Sequence, residues 1–188
     1  QSAYELSKIL SDPDKVPLDN QFKNSIISAF EKSLHDDPKV RMYLALAMGR
    51  TGDVAYGEPL MTALNDDSAE IITAAVQAIG LIQYKPAVGQ LSVMATSSEF
   101  QAVRLASAIA LGQIGDESSL PLLKKLLDDE EANIRWDAAI ALAKMGDSSG
   151  TIIINSLLDR AYYKNFKEID SWETEKAILV AIQVSSQL

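Results

Sequence analysis

Arginine stands at positions 41, 104 and 135, and aspartate at 53, 116 and 147, so each arginine precedes an aspartate by twelve residues. Three guanidinium groups on a common spacing could form a row that holds phosphates or carboxylates, because each presents a planar fork of donors to such anions. The other arrangement is an intramolecular ladder, in which each arginine bonds the acidic turn beside its own helix or a neighbouring one. The aspartate twelve residues on is out of reach, since that length of helix spans about 18 Å. Turns of stacked helices lie only about one helix diameter, roughly 10 Å, apart. The ladder is therefore the expected reading of Arg41, Arg104 and Arg135.

Other candidates for chemistry are sparse. His35 is the single histidine, and Asp36 and Asp37 beside it could offer oxygens to a hard cation. The run lacks the spaced oxygens and central glycine of a calcium loop, so a solvated turn is expected. Most of the other carboxylates fall in turns and at helix starts, where they oppose the helix dipole favourably. No two of them stand out as an acid–base couple. No nucleophile elbow, phosphate loop or dinucleotide fingerprint is present. Cysteine is absent, which removes disulfides, thiolate metal sites and cysteine nucleophiles. Neither a catalytic centre nor a cofactor nor a metal is expected.

The formal charge of −9 argues against a continuous track for a nucleic-acid backbone, which wants clustered Lys and Arg. No apolar run approaches the roughly 18 to 20 residues of a membrane helix, so no membrane insertion is expected. The sequence begins at Gln1 rather than Met, which reads as trimming or processing. A cytoplasmic chain is the expectation, and an exported one that has lost a signal peptide is the alternative.

The elements that carry these residues are repeats. VRMYLALAMGRTGD (40–53), VRLASAIALGQIGD (103–116) and IRWDAAIALAKMGD (134–147) are three copies of one run, and IITAAVQAIGLIQY (71–84) is a worn fourth. Their first residues are 31, 32 and 31 apart (40 to 71, 71 to 103, 103 to 134), a period that signals stacked helix pairs. Each run reads as a helix A rich in Ala and Leu. Gly52, Gly115 and Gly146 follow, where a left-handed residue should end it. Asp53, Asp116 and Asp147 are then placed to cap a second helix B. Leu60, Leu91, Leu123 and Ile154 align as the buried positions of helix B. The worn copy has Ile72 for Arg, Gln83 for Gly and Tyr84 for Asp; relaxed repeat identity is the expected reason, and an exposed Tyr84 used in binding is the alternative.

These V/I-R-x-x-A/L-A-x-A-L/M-G-x-x-G-D runs resemble HEAT-like repeats of the short kind found in phycobilisome-lyase subunits. The resemblance covers roughly 36–159 well and the two ends poorly. It implies an all-α fold, a right-handed α-α superhelix or HEAT-like α-solenoid, of about five to six helix pairs. The expected organisation is a single domain over 1–188. Within it, 1–35 is an irregular N-terminal helix pair, 36–159 holds four regular repeats and 160–188 is a C-terminal cap. The resemblance also implies that helix B lines the concave face. Residues just after the buried helix-B positions would then form groove rungs: Glu31/Lys32, Met61/Thr62, Ser92/Val93, Lys124/Lys125 and Asn155/Ser156. A mixed floor of this kind suits a protein segment.

Tyr162, Tyr163, Phe166 and Trp172 form a second candidate surface, although aromatics are equally what a cap needs to cover an open repeat edge. Burial between repeats is expected for Trp136. The function expected is a non-catalytic scaffold that binds a protein partner. The alternative, from the resemblance, is an accessory subunit of an enzyme, similar to bilin lyase subunits.

Overall fold

The computed structural model describes residues 2–17, 19–35, 37–166 and 169–186. All regular structure among them is helical. In chain order the α-helices are α1 (Ser2–Ile9), α2 (Asn20–Lys32), α3 (Pro38–Arg50), α4 (Gly57–Ala63), α5 (Ala69–Leu81), α6 (Val88–Ser97), α7 (Gln101–Ile114), α8 (Leu120–Leu126), α9 (Ala132–Lys144), α10 (Thr151–Leu157) and α11 (Ser171–Ser185). The chain forms two compact units, Gln1–Ile114 and Gly115–Leu188. No helix among the described residues is long and apolar enough to cross a membrane.

Short polar side chains start these helices by accepting from backbone N–H groups that have no partner within the helix. Asp19 accepts from Phe22 N at 2.7 Å to open α2, and Ser68 Oγ accepts from Ile71 N at 3.4 Å to open α5. Asp37 accepts from Lys39 N at 2.9 Å, and Pro38 occupies the first turn of α3, where a missing N–H costs nothing. Asp36, named above beside Asp37, lies outside the described residues. Asp170 and Glu173 cap each other reciprocally at the start of α11.

Three long helices end on glycines in the left-handed region: Gly52 at φ +70°, Gly115 at +65° and Gly146 at +75°. Gln83 holds the same place at φ +52° after α5, the one non-glycine with positive φ among the described residues. The worn repeat therefore keeps the turn although it has lost the glycine. Gln83 Nε2 also donates to Gln113 O at 2.9 Å, which helps offset the unfavourable backbone.

The aspartates that follow differ from the sequence expectation. Asp53, Asp116 and Asp147 accept from Ala55, Ser118 and Ser149 N–H at 2.9, 3.1 and 2.9 Å. Each bond reaches only two residues ahead. What it caps is a single 3₁₀ turn (Val54–Tyr56, Glu117–Ser119, Ser148–Gly150), and helix B begins after that turn.

Packing in the first unit is closest along the helix-A row. A Cβ on Gly49 would lie 2.5 Å from Ala78 Cα, and one on Gly80 would lie 3.0 Å from Ala110 Cα. Thus α3 meets α5, and α5 meets α7, with backbone nearly on backbone. Leu60 of α4 and Leu91 of α6 are fully buried beneath them. In the second unit Gly150 approaches Ala139 of α9 just as closely. The core there gathers Trp136, Ala139, Ala143, Ile154, Leu157, Tyr163, Ala181 and Val184. Each large aliphatic so buried contributes about 1.5–3 kcal/mol.

Candidate functional site

Each recurrent arginine is engaged by partners within the chain. Arg41 is buried, donating from Nε to Asp66 Oδ2 at 3.1 Å and from Nη1 to Phe30 O at 2.8 Å, with its guanidinium 4.2 Å above the Phe30 ring. It thereby ties helix α2 and the next acidic turn to the start of α3. Arg104 and Arg135 behave differently. Arg104 donates to Ser98 O at 2.8 Å, and Arg135 to Asp129 O and Glu130 O at 2.7 and 2.8 Å. Both fasten backbone carbonyls of the acidic turn before their own helix, whereas Arg41 reaches a side-chain carboxylate in the turn of the next repeat.

Charged pairs join successive repeats at the A-to-B turns. Lys23 of α2 meets Asp53 at 2.5 Å, and Lys124 of α8 meets Asp147 at 2.7 Å. The ammonium of Lys23 and the Ala55 amide hold the Asp53 carboxyl below its usual range. Lys124, with the hydroxyl and amide of Ser149, holds Asp147 down at about 2. At the worn repeat the pair is neutral and acidic instead. Tyr84 donates to Glu58 Oε1 at 2.5 Å, and its ring covers Gly57 so closely that any Cβ there would overlap it. Tyr84 is half-buried in this contact, neither packed inside nor freely projecting. Beneath the turn, burial pushes the Tyr56 hydroxyl up to about 12, with the Asp53 charge adding to the effect.

The helix-B rungs lie on the outer sides of the short helices. Thr62, Val93, Lys125 and Asn155 are exposed; Met61, Ser92 and Ser156 are half-buried. Several groups are already engaged within the chain. The hydroxyls of Thr62, Ser92 and Ser156 donate to Pro59 O, Val88 O and Ile152 O of their own helices. Lys124 and Lys125 of α8 are both exposed, and Lys124 is paired with Asp147. What stands out is aliphatic: Val93 is 62% exposed on α6, and Ile152 is 81% exposed on α10. Ile152 was missed from the sequence. It aligns with Glu58, Gly89 and Pro121, two residues before each buried helix-B position, and that outward register was the available signal.

The two rows of helices also differ in spacing. Along helix A, α3, α5 and α7 are sealed by the glycine–alanine contacts. Along helix B, the backbones of α4 and α6, and those of α8 and α10, approach each other far less than these do. Within the first unit the helix-B row is therefore the more openly spaced of the two.

The C-terminal aromatics divide into two groups. Tyr162, Tyr163 and Phe166 surround Trp136, their ring centroids 6.1, 5.7 and 5.0 Å from its own, and close the end of the α9–α10 pair. Tyr163 is buried and donates to Leu157 O at 2.9 Å, while Trp136 Nε1 donates to Tyr162 Oη at 3.3 Å. Tyr163 therefore has no surface to offer a partner, and Tyr162 and Phe166 are half-buried in the same cluster. Trp172 is apart from them, 67% exposed, with Lys176 Nζ 5.2 Å from its ring centroid.

Comparison with known proteins agrees with this architecture. A family model described as HEAT repeats matches residues 90–169, and one described as PBS lyase HEAT-like repeat matches 40–66. The complex of CpcE and CpcF of phycocyanin lyase from Nostoc sp. PCC7120 has a similar structure, at TM-score 0.64 and 18% identity, covering 99% of this chain and 86% of that one. An engineered protein matches at TM-score 0.58 and 17% identity, covering 99% of this chain and 90% of its own. A designed armadillo repeat protein in complex with the peptide (KR)4 matches at TM-score 0.57 and 18% identity, covering 97% and 91%. No curated protein sequence matches significantly. With glycine-ended helices of one period, close Ala–Gly packing between them, and two matching repeat models, the chain has a helical-repeat fold that carries HEAT-like repeats at 40–66 and 90–169.

Proposed function

We propose that this chain is a non-catalytic scaffold that binds a protein partner through helix-B faces, those of α4 and α6 in the first unit or those of α8 and α10 in the second. The observation that carries the reading is Val93. Its side chain is 62% open to water on α6, whose backbone stands apart from that of α4, and covering it with a partner's apolar group would remove that area from water. Ile152 offers the same on α10. The helix-A row of the first unit is instead packed backbone to backbone. The likeness to a designed repeat protein holding a peptide is consistent with an extended occupant.

Binding of a co-purified partner to the full chain, measured by calorimetry, tests the assignment. Val93→Asp, on the first unit's face, or Ile152→Asp, on the second's, should weaken affinity at least tenfold while leaving the thermal midpoint within a few degrees. Where the second unit binds, Lys125→Glu should change affinity without disturbing the Lys124–Asp147 pair. Ile109→Asp on the helix-A side is the control and should bind normally. Unchanged affinity in all three helix-B variants would remove this surface from consideration.

The likeness to the phycocyanin lyase complex supports a second reading, an accessory subunit of a bilin-attaching enzyme. Titration with bilin should then shift its absorbance, and a spectrum unaltered under saturating bilin counts against that role.

A further inference from the structure

We draw no further inference here: the strongest candidate, the exposed apolar face of α11 formed by Trp172, Leu179 and Ile182, carries nothing because nothing in the structure shows what covers it.

Discussion

Tyr84 occupies the space that a Cβ on Gly57 would need, and its hydroxyl donates to Glu58 one residue further on. The repeat that lacks the usual aspartate is thus joined to the one before it by a ring laid on a glycine. Gly57→Ala tests the joint. Helix propensity alone favours alanine by about 1 kcal/mol, whereas forcing the ring aside costs about 1–3 kcal/mol. Net destabilisation in urea unfolding is expected, and it should largely vanish in the background of Tyr84→Ala, where nothing is displaced. A stabilised Gly57→Ala protein would contradict the contact.

Glycines of the helix-A region should split into two classes. At Gly49 an added methyl meets Ala78 Cα at 2.5 Å, so α3 and α5 must separate along their length. At Gly52 it meets no atom within 4 Å, and only the left-handed backbone objects. Gly52→Ala should cost about 1–2 kcal/mol. Gly49→Ala should cost more, about 2–3 kcal/mol, the upper range for overpacking. Equilibrium unfolding of both variants gives the order directly.

The three arginines should be unequal. Removing Arg41 strips the Asp66 carboxylate and the Phe30 carbonyl of a buried donor, so Arg41→Ala should cost about 3–5 kcal/mol. Arg104→Ala removes one half-buried bond to a carbonyl and should cost about 1–2 kcal/mol. Arg41→Lys should not rescue, because an ammonium cannot satisfy both partners and stack on Phe30. Comparable losses at 41 and 104 would show that the buried pair is not special.

Two aspartates should act on stability with opposite pH signs. Burial lifts the Asp137 carboxyl from 3.8 to about 6, against the pull of Lys144 and Lys176. The folded state holds its proton more tightly than the unfolded one, so that contribution is present below about pH 4 and is lost as pH rises through 6. The loss is at most about 3 kcal/mol, reduced by the solvent that reaches this half-buried group. Asp147, lowered to about 2 by Lys124 and Ser149, contributes above its unfolded value and loses that contribution as pH falls towards 2. Asp137→Asn should therefore stabilise the protein at pH 7 and flatten the decline between pH 4 and 7, whereas Asp147→Asn should flatten the acid side. Thermal midpoints across pH 2–8 separate the two, and a native pH profile retained in Asp137→Asn would refute the assignment.

Much of the fold was legible because the repeat signature consists of residues with local roles. Gly52, Gly115 and Gly146 answer a demand made by one backbone angle, and Asp53, Asp116 and Asp147 bond an amide two residues away. Even so, the aspartates' 3₁₀ turn was not foreseen, since both it and a direct helix cap satisfy the same sequence pattern. The candidate surface was less legible. Lys124, Tyr84 and Tyr163 looked available as residue types, yet each is engaged by a partner elsewhere in the chain: Asp147, Glu58 and the Leu157 carbonyl.

What the sequence determined by itself is the period, the helical class, the helix ends and the alignment of buried positions such as Leu60, Leu91, Leu123 and Ile154. These depend on contacts within a few residues and on which side of a 3.6-residue helix is apolar. Only the tertiary structure decided where the arginines point, that α3, α5 and α7 pack backbone to backbone, and that Val93, Ile152 and Trp172 stand open to water. Those outcomes depend on the distance and rotation between helices about thirty residues apart. A shift of a few ångströms there exchanges a buried ring for an exposed one, and no local propensity registers the change.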